Sequence, residues 1–289
     1  MDNIWASSSQ PPPQNLRIAT LAAYAAFIGV NVASNAGWLG ATNAEVSAKF
    51  PVPLTPAGWA FSIWGLIFLL EGWGAVYQAL ESGYDADGFK ARFANSVNIN
   101  WIVSWVAAMG WQLAFVRQTP GSMWLAFVLI LTAFLAMGRA LLQLYGVKDR
   151  FGPAPSLPLY AAFFLGTSVN TAWLSVATCV QLLIALKMPF GQSSLDVPAV
   201  LAAAAFTCLG AWVLFTEHDT AYGLTLVWAL VAVYEHTDAA VVRHAALAAI
   251  LLLAVLSIAS VLRRPGPPPV YEHGEHTEPL RPTASLEEP

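Results

Sequence analysis

Charge is scarce in this sequence: 10% of its 289 residues are Asp, Glu, Lys or Arg, whereas 57% are hydrophobic. A soluble domain carries about a quarter charged residues, so a mainly water-facing surface is excluded. Basic residues do not outnumber acidic ones, 13 against 17, which leaves no basic patch and no expectation of a nucleic-acid partner. Cysteine is nearly absent. Cys179 and Cys208 both fall inside apolar runs and read as small buried residues rather than a metal or disulfide pair. The chain also lacks a Gly-rich phosphate loop, a nucleophile elbow and a helix-borne His-Glu-x-x-His. Hydrolysis and phosphoryl transfer therefore have no positive support, and no catalytic residue or metal site is assigned. Finally, the apolar segments do not alternate with polar positions, which excludes a transmembrane barrel.

What is present is a series of apolar stretches of about 20 residues, the length of a helix crossing a hydrocarbon core. Lipid cannot satisfy exposed backbone N–H and C=O groups, so these stretches must be helices. They run over 17–36, 57–80, 97–116, 122–145, 157–186, 197–216, 220–236 and 240–262. The expected fold is all-α, a polytopic transmembrane helix bundle. Residues 1–16 read as a flexible lead without the basic start and short apolar core of a signal peptide. Residues 263–289, rich in Pro, Gly and Glu, read as a disordered tail.

Lys and Arg placement supports eight spans. With the N-terminus inside, Arg17, Lys90, Arg92, Arg139, Lys148, Arg150, Arg263, Arg264 and Arg281 share one side. Lys49, Arg117, Lys187 and Arg243 take the other. Such residues accumulate on the cytoplasmic side, so both termini are expected there. Without the seventh and shortest span this bias all but disappears.

Twelve tryptophans is a high count for this length. Trp38, Trp59 and Trp124, near span ends, suit the headgroup interface; Trp64, Trp105, Trp173, Trp212 and Trp228 fall deeper. Helical spacing places Asn98, Trp101, Trp105 and Gln112 on one face, Asn170, Trp173, Ala177 and Gln181 on another, and Asn31, Asn35 and Trp38 on a third. Amides facing lipid are costly, so these faces should turn into the bundle. They either hydrogen-bond between helices or jointly line a site where a flat, apolar ligand stacks on indoles. Glu71, within the second span, is either a hydrogen-bonded acid near the inner interface or a proton site. Two His/acid clusters, Glu217-His218-Asp219 and Glu235-His236 with Asp238 and His244, lie a membrane thickness apart and read as polar turns rather than one metal site.

The segment Leu54-Thr55-Pro56-Ala57-Gly58-Trp59-Ala60-Phe61-Ser62-Ile63-Trp64-Gly65 resembles the Pro-x-Gly-Trp-x-Phe opening of the second helix in the TspO/MBR family, the tryptophan-rich sensory proteins and translocator proteins. Asn98 to Trp105 is similar to that family's Asn/Trp third helix. Ala172-Trp173-Leu174-Ser175-Val176-Ala177-Thr178 is similar to its fifth-helix motif, with Gln181 where an Asn usually follows. In this motif Pro56 suits a first helical turn, Gly58 suits close helix approach and Trp59 suits an interfacial anchor.

The resemblance implies a five-helix membrane domain over 17–186, followed by an additional three-helix segment over 187–262. It also implies binding of hydrophobic ligands of the tetrapyrrole or sterol/lipid class, with a transport or sensing role. Trp64, Asn98, Trp101, Trp105, Asn170, Trp173 and Gln181 are the expected lining. No cofactor is expected beyond a tetrapyrrole ligand; membrane lipid, a hydrophobic small molecule and a second copy of the chain are the expected partners. Two other functions fit the sequence: a proton-coupled transporter of a small metabolite using Glu71, and an enzyme that modifies a bound porphyrin.

Overall fold

The computed structural model describes residues 8–84, 88–154, 156–190 and 194–263. The first seven residues of the expected lead, and all of the expected tail except Arg263, lie outside the described residues. Among the described residues there is no strand.

The chain forms α1 (Gln14–Asn35), the short α2 (Asn43–Lys49), a 3-10 turn (Gly58–Ser62), α3 (Ile63–Ala79), α4 (Phe89–Phe115) and α5 (Pro120–Phe151). There follow α6 (Leu157–Tyr160), a π-helical turn (Ala161–Leu165), α7 (Gly166–Phe190), α8 (Asp196–Thr216), α9 (Thr220–His236) and α10 (Ala240–Leu262). Every stretch expected to span thus contains a helix. Local signals place the ends. Thr119 and Ser122 form a capping box with Pro120 in the first turn of α5, and Gly152, at φ 94°, stops that helix. Lys148 and Arg150 in its last turn suit the negative end of the helix dipole.

Among the described residues, six segments are long and apolar enough to cross a membrane: Gln14–Asn35, Gly58–Ala79, Pro120–Phe151, Leu157–Met188, Asp196–Thr216 and Ala240–Leu262. The other two expected spans become helices that fall below that standard for different reasons. α4 carries Lys90, Arg92, Asn95, Asn98, Asn100 and Gln112, whereas α9 has only 17 residues. Neighbours shield both: α4 packs on α5 and α1, and α9 packs on α10, α7 and α8. The protein is an integral membrane helix bundle.

Successive long helices run in opposite directions, so α1 begins, and α10 ends, at the same end of the bundle, here called proximal. Contacts at that end include Arg17 Nη1 to the Ala79 carbonyl and Lys148 to Glu217 at 2.6 Å. At the distal end Lys49 donates to Gln118 and Lys187 donates to the Pro51 carbonyl.

The run Leu157–Met188 is the central helix, with most of its apolar core buried. α7 packs on α3 and α5 on one side and on α8 and α9 on the other. The last three helices are therefore fastened to the first five at both ends. Proximally, the Tyr145 hydroxyl donates to the Asp219 carboxylate at 2.6 Å. Distally, the Ala57 N–H donates to the Ala232 carbonyl, Trp228 Nε1 to the Ala60 carbonyl, and Trp59 Nε1 to Glu235 at 2.9 Å.

Candidate functional site

Two neighbouring features sit among α1, α3, α4, α5 and α7: a packed polar interior around Glu71, and a cavity toward the distal end. Both are built where helices approach closely. Gly74 of α3 faces the π-helical turn, and a Cβ there would lie 2.3 Å from the Ala162 carbonyl oxygen and 2.8 Å from the Trp101 ring. Opposite it, a Cβ on Gly166 would lie 3.2 Å from the Glu71 backbone nitrogen and from Leu70. Two glycines and an irregular turn thus bring α3 against the central helix at the level of Glu71.

Glu71 is 1% exposed. One carboxylate oxygen accepts from Trp105 Nε1 at 2.8 Å and the other from Asn170 Nδ2 at 2.6 Å. Among the described residues no cation pairs with it. Two neutral donors thus hold this buried acid within the bundle. Trp105 is gripped further: its ring lies 5.3 Å from that of Tyr24, whose hydroxyl donates to the Phe68 carbonyl. Trp101 turns its N–H to Thr167 at 3.1 Å, and Thr167 in turn donates to the Phe163 carbonyl at 2.6 Å.

Toward the proximal end, Asn98 donates to Gln78, which donates to the Arg17 carbonyl. Tyr84 donates to the Gln78 carbonyl, and Lys90 donates to the Leu80 and Ser82 carbonyls. Burial pushes the Tyr84 hydroxyl above its ordinary value, opposed in part by the Arg17 charge. This network closes the proximal mouth of the first five helices with hydrogen-bonded polar groups, although Arg17 Nε and Asn98 Oδ1 have no hydrogen-bond partner among the described residues.

The cavity lies on the distal side and has a volume of about 150 Å³. Trp64, Trp111, Trp173 and Phe61 supply ring surfaces to its lining; Asn31, Asn35, Asn43 and Gln181 supply amides. The Phe61 and Trp173 rings meet edge to face at 5.9 Å, and Trp64 and Trp173 at 6.4 Å. Trp111 Nε1 donates to Gln181 Oε1 at 3.1 Å, and Gln181 donates to the Met123 carbonyl. The longer amide at 181 thus bridges α4 and α5 from α7. Asn43 donates to Gln112, and its own buried Oδ1 has no partner among the described residues.

α2 brings Asn43, Ala44 and Ser47 to this lining. A capping box closes its first turn: Thr42 Oγ1 accepts the Glu45 N–H, and Glu45 accepts the Thr42 N–H at 2.7 Å. Those hydrogen bonds, first from the Thr42 backbone and then from its side chain, hold the Glu45 carboxyl below the ordinary 4.5.

The seven expected lining residues therefore divide. Trp64, Trp173 and Gln181 face the cavity, whereas Asn98, Trp101, Trp105 and Asn170 belong to the packed interior around Glu71 and Gln78. Phe61, Asn43 and Trp111 line the cavity without having been singled out. Trp111 precedes Gln112 and shares a face with Phe115, stacked at 5.1 Å, a four-residue spacing that is visible in the sequence. Pro56 also reaches the lining. Gly58 does not mediate a close approach, since nothing lies within 4 Å of a Cβ there. Neither His/acid cluster forms a metal site among the described residues.

A family model described as TSPO-like protein matches residues 17–259. The chain belongs to the TSPO-like family. No solved structure and no curated protein matches it. Within this TSPO-like protein the family match runs beyond residue 186 and through α8, α9 and most of α10. That span agrees with the contacts fastening those helices to the rest. The Pro56–Trp64 segment has two faces in this arrangement: Pro56, Phe61 and Trp64 turn toward the cavity, while Trp59 packs on Trp228 edge to face at 4.7 Å.

Proposed function

We propose that this TSPO-like protein binds a flat, largely apolar ligand in the distal cavity, stacking it on Trp64, Trp111 and Trp173 and orienting it with the surrounding amides. The observation that carries the reading is the convergence of three indoles and four amides on one concavity, with a buried Asn43 oxygen left for a ligand donor. Indole faces provide large apolar area with little loss of conformational freedom, and a few placed polar groups fix orientation. The ligand class is the tetrapyrrole or sterol class implied by the family resemblance, and the role is transport or sensing.

Volume sets a condition. A cavity near 150 Å³ takes a group about the size of a benzene ring, whereas ligand pockets run from about 300 Å³ upward. A tetrapyrrole therefore seats one edge between the indoles and displaces α2, the shortest helix on the lining, to seat the rest.

The test is a titration of protoporphyrin into the purified protein in detergent, followed by tryptophan fluorescence. Saturable quenching is expected, weakened about tenfold or more by Trp64→Phe with Trp173→Phe, the loss of two stacking contacts of roughly 1 kcal/mol each. Trp105→Phe, outside the cavity, should leave the midpoint nearly unchanged. Unsaturating quenching that is equal in all three proteins would overturn the reading and turn attention to proton coupling at Glu71.

A further inference from the structure

On the opposite side of the central helix from the first cavity lies a second concavity. α5 supplies one wall, from Phe134 to Tyr145, and α8 the other, with Leu209, Trp212 and Val213. Thr171 of α7 and Tyr222 of α9 also line it. Its volume is about 300 Å³ and its lining is overwhelmingly apolar. It opens outward on the flank of the bundle, where Leu135, Leu142 and Trp212 are exposed.

One residue is out of character. Arg139 lines the cleft and is exposed, yet among the described residues no hydrogen bond, ion pair or ring contact engages its guanidinium. It stands six residues before Tyr145, which is tied to Asp219 at the proximal turn, so its Cα lies about 9 Å into the bundle from that level. A lone cation on a lipid-facing surface at that depth is costly unless it snorkels to an anion. Tyr222 adds a second polar group: it is 1% exposed, and its hydroxyl, which faces Ser175, makes no hydrogen bond of ordinary geometry among the described residues. Every other basic side chain on α5 acts near a helix end, where water and headgroups are within reach.

We propose that this cleft is a binding site for an anionic phospholipid, with an acyl chain lying between α5 and α8 and the phosphate drawn to Arg139. An apolar channel continuous with bilayer depth fits a chain, and an unpaired guanidinium matches a phosphate in charge and fork geometry. The site is independent of the indole-lined cavity, with which it shares no lining residue.

The experiment reconstitutes the full chain in nanodiscs of equimolar phosphatidylglycerol and phosphatidylcholine, extracts it in mild detergent, and counts retained lipid by native mass spectrometry. The wild-type protein should retain one phosphatidylglycerol with about fivefold preference over phosphatidylcholine, as expected for one favourable charge contact at the membrane surface. Arg139→Gln should erase the preference and Arg139→Lys should keep most of it. Arg150→Gln, an exposed cation at the end of the same helix, should leave it intact. Equal retention of both lipids by the wild type, or a preference that survives Arg139→Gln, overturns the proposal. So does an equal loss in Arg150→Gln, which would indicate general surface charge. Glycerol 3-phosphate, added as a chainless competitor, should not displace the lipid; displacement would show a soluble-anion site instead.

Discussion

At Glu71 an acid sits where water does not reach, and its two oxygens face one N–H each from Trp105 and Asn170. A buried donor left without an acceptor costs about 1–3 kcal/mol. Glu71→Gln offers a single acceptor oxygen and turns an NH2 toward the other donor, so it should destabilise the bundle by about that amount. Glu71→Leu strands both donors and should cost more, and adding Asn170→Leu should recover part of the loss. Thermal unfolding in detergent would check the order; if Leu proved milder than Gln, the paired-donor account would fall. Helix spacing placed Trp105 on an inward face and left Glu71 as either a hydrogen-bonded acid near the inner interface or a proton site. It could not pair them, because Asn170 stands 99 residues from Glu71 in the chain and the choice of partner is made by helix approach. That approach in turn depends on Gly74 and Gly166, whose lack of a side chain is silent until the neighbouring backbone is seen.

Among the elements, α2 is the one whose stability is most local. It has seven residues, one buried side chain (Val46) and a capping box at its start. Helices this short do not persist without such help. Because Glu45 titrates below its ordinary value when folded, the cap's contribution is fully present above about 4.5. It is lost as pH falls through the lowered value. Hydrogen exchange of the α2 amides, corrected for intrinsic rates, should show protection that holds from neutral pH down to about 4.5 and then fades. Protection that faded already near pH 6 would point to another group. Helix spacing predicted inward stripes on the first, third and fifth spans; those on α4 and α7 do face inward, whereas Asn35 and Trp38 of the first are exposed and only Asn31 is buried. What spacing could not reveal is that one stripe serves several partners: Asn98, Trp101, Trp105 and Gln112 bond to Gln78, Thr167, Glu71 and Asn43 in turn. None of those four lines the cavity, whereas Trp173, Ala177 and Gln181 of the α7 stripe do.

For the whole molecule, the run of apolar segments made eight helices legible, including α9, which charge placement supported although its length fell short. The division into a five-helix domain and an appended three was drawn from a local motif, and motifs say nothing about packing. Side-chain and backbone hydrogen bonds join the two sets at both ends of the bundle. A chain truncated after Phe190 would leave the Tyr145 hydroxyl, the Ala57 N–H and the Trp228-facing carbonyl of Ala60 without partners. It would also expose the α8- and α9-facing side of α7 to lipid. Such a truncation should give little monodisperse protein in detergent, and what is recovered should bind protoporphyrin weakly, since the Pro56–Trp64 segment loses its hold on α9. Size-exclusion profiles and the fluorescence titration would test this; a well-behaved fragment with undiminished binding would establish the five helices as self-sufficient.

The π-helical turn at Ala161–Leu165 has a further consequence. Such a turn amounts to one residue inserted into an α-helix, and one residue is about 100° of rotation. The two halves of the central helix are thereby out of phase: Leu159 upstream and Asn170, Trp173 and Gln181 downstream face directions that an unbroken helix could not combine. A relative lacking one residue here would have to choose which half keeps its neighbours. The insertion also gives the protein a place where a single-residue change in length could re-aim a whole helical face without altering any side chain on it.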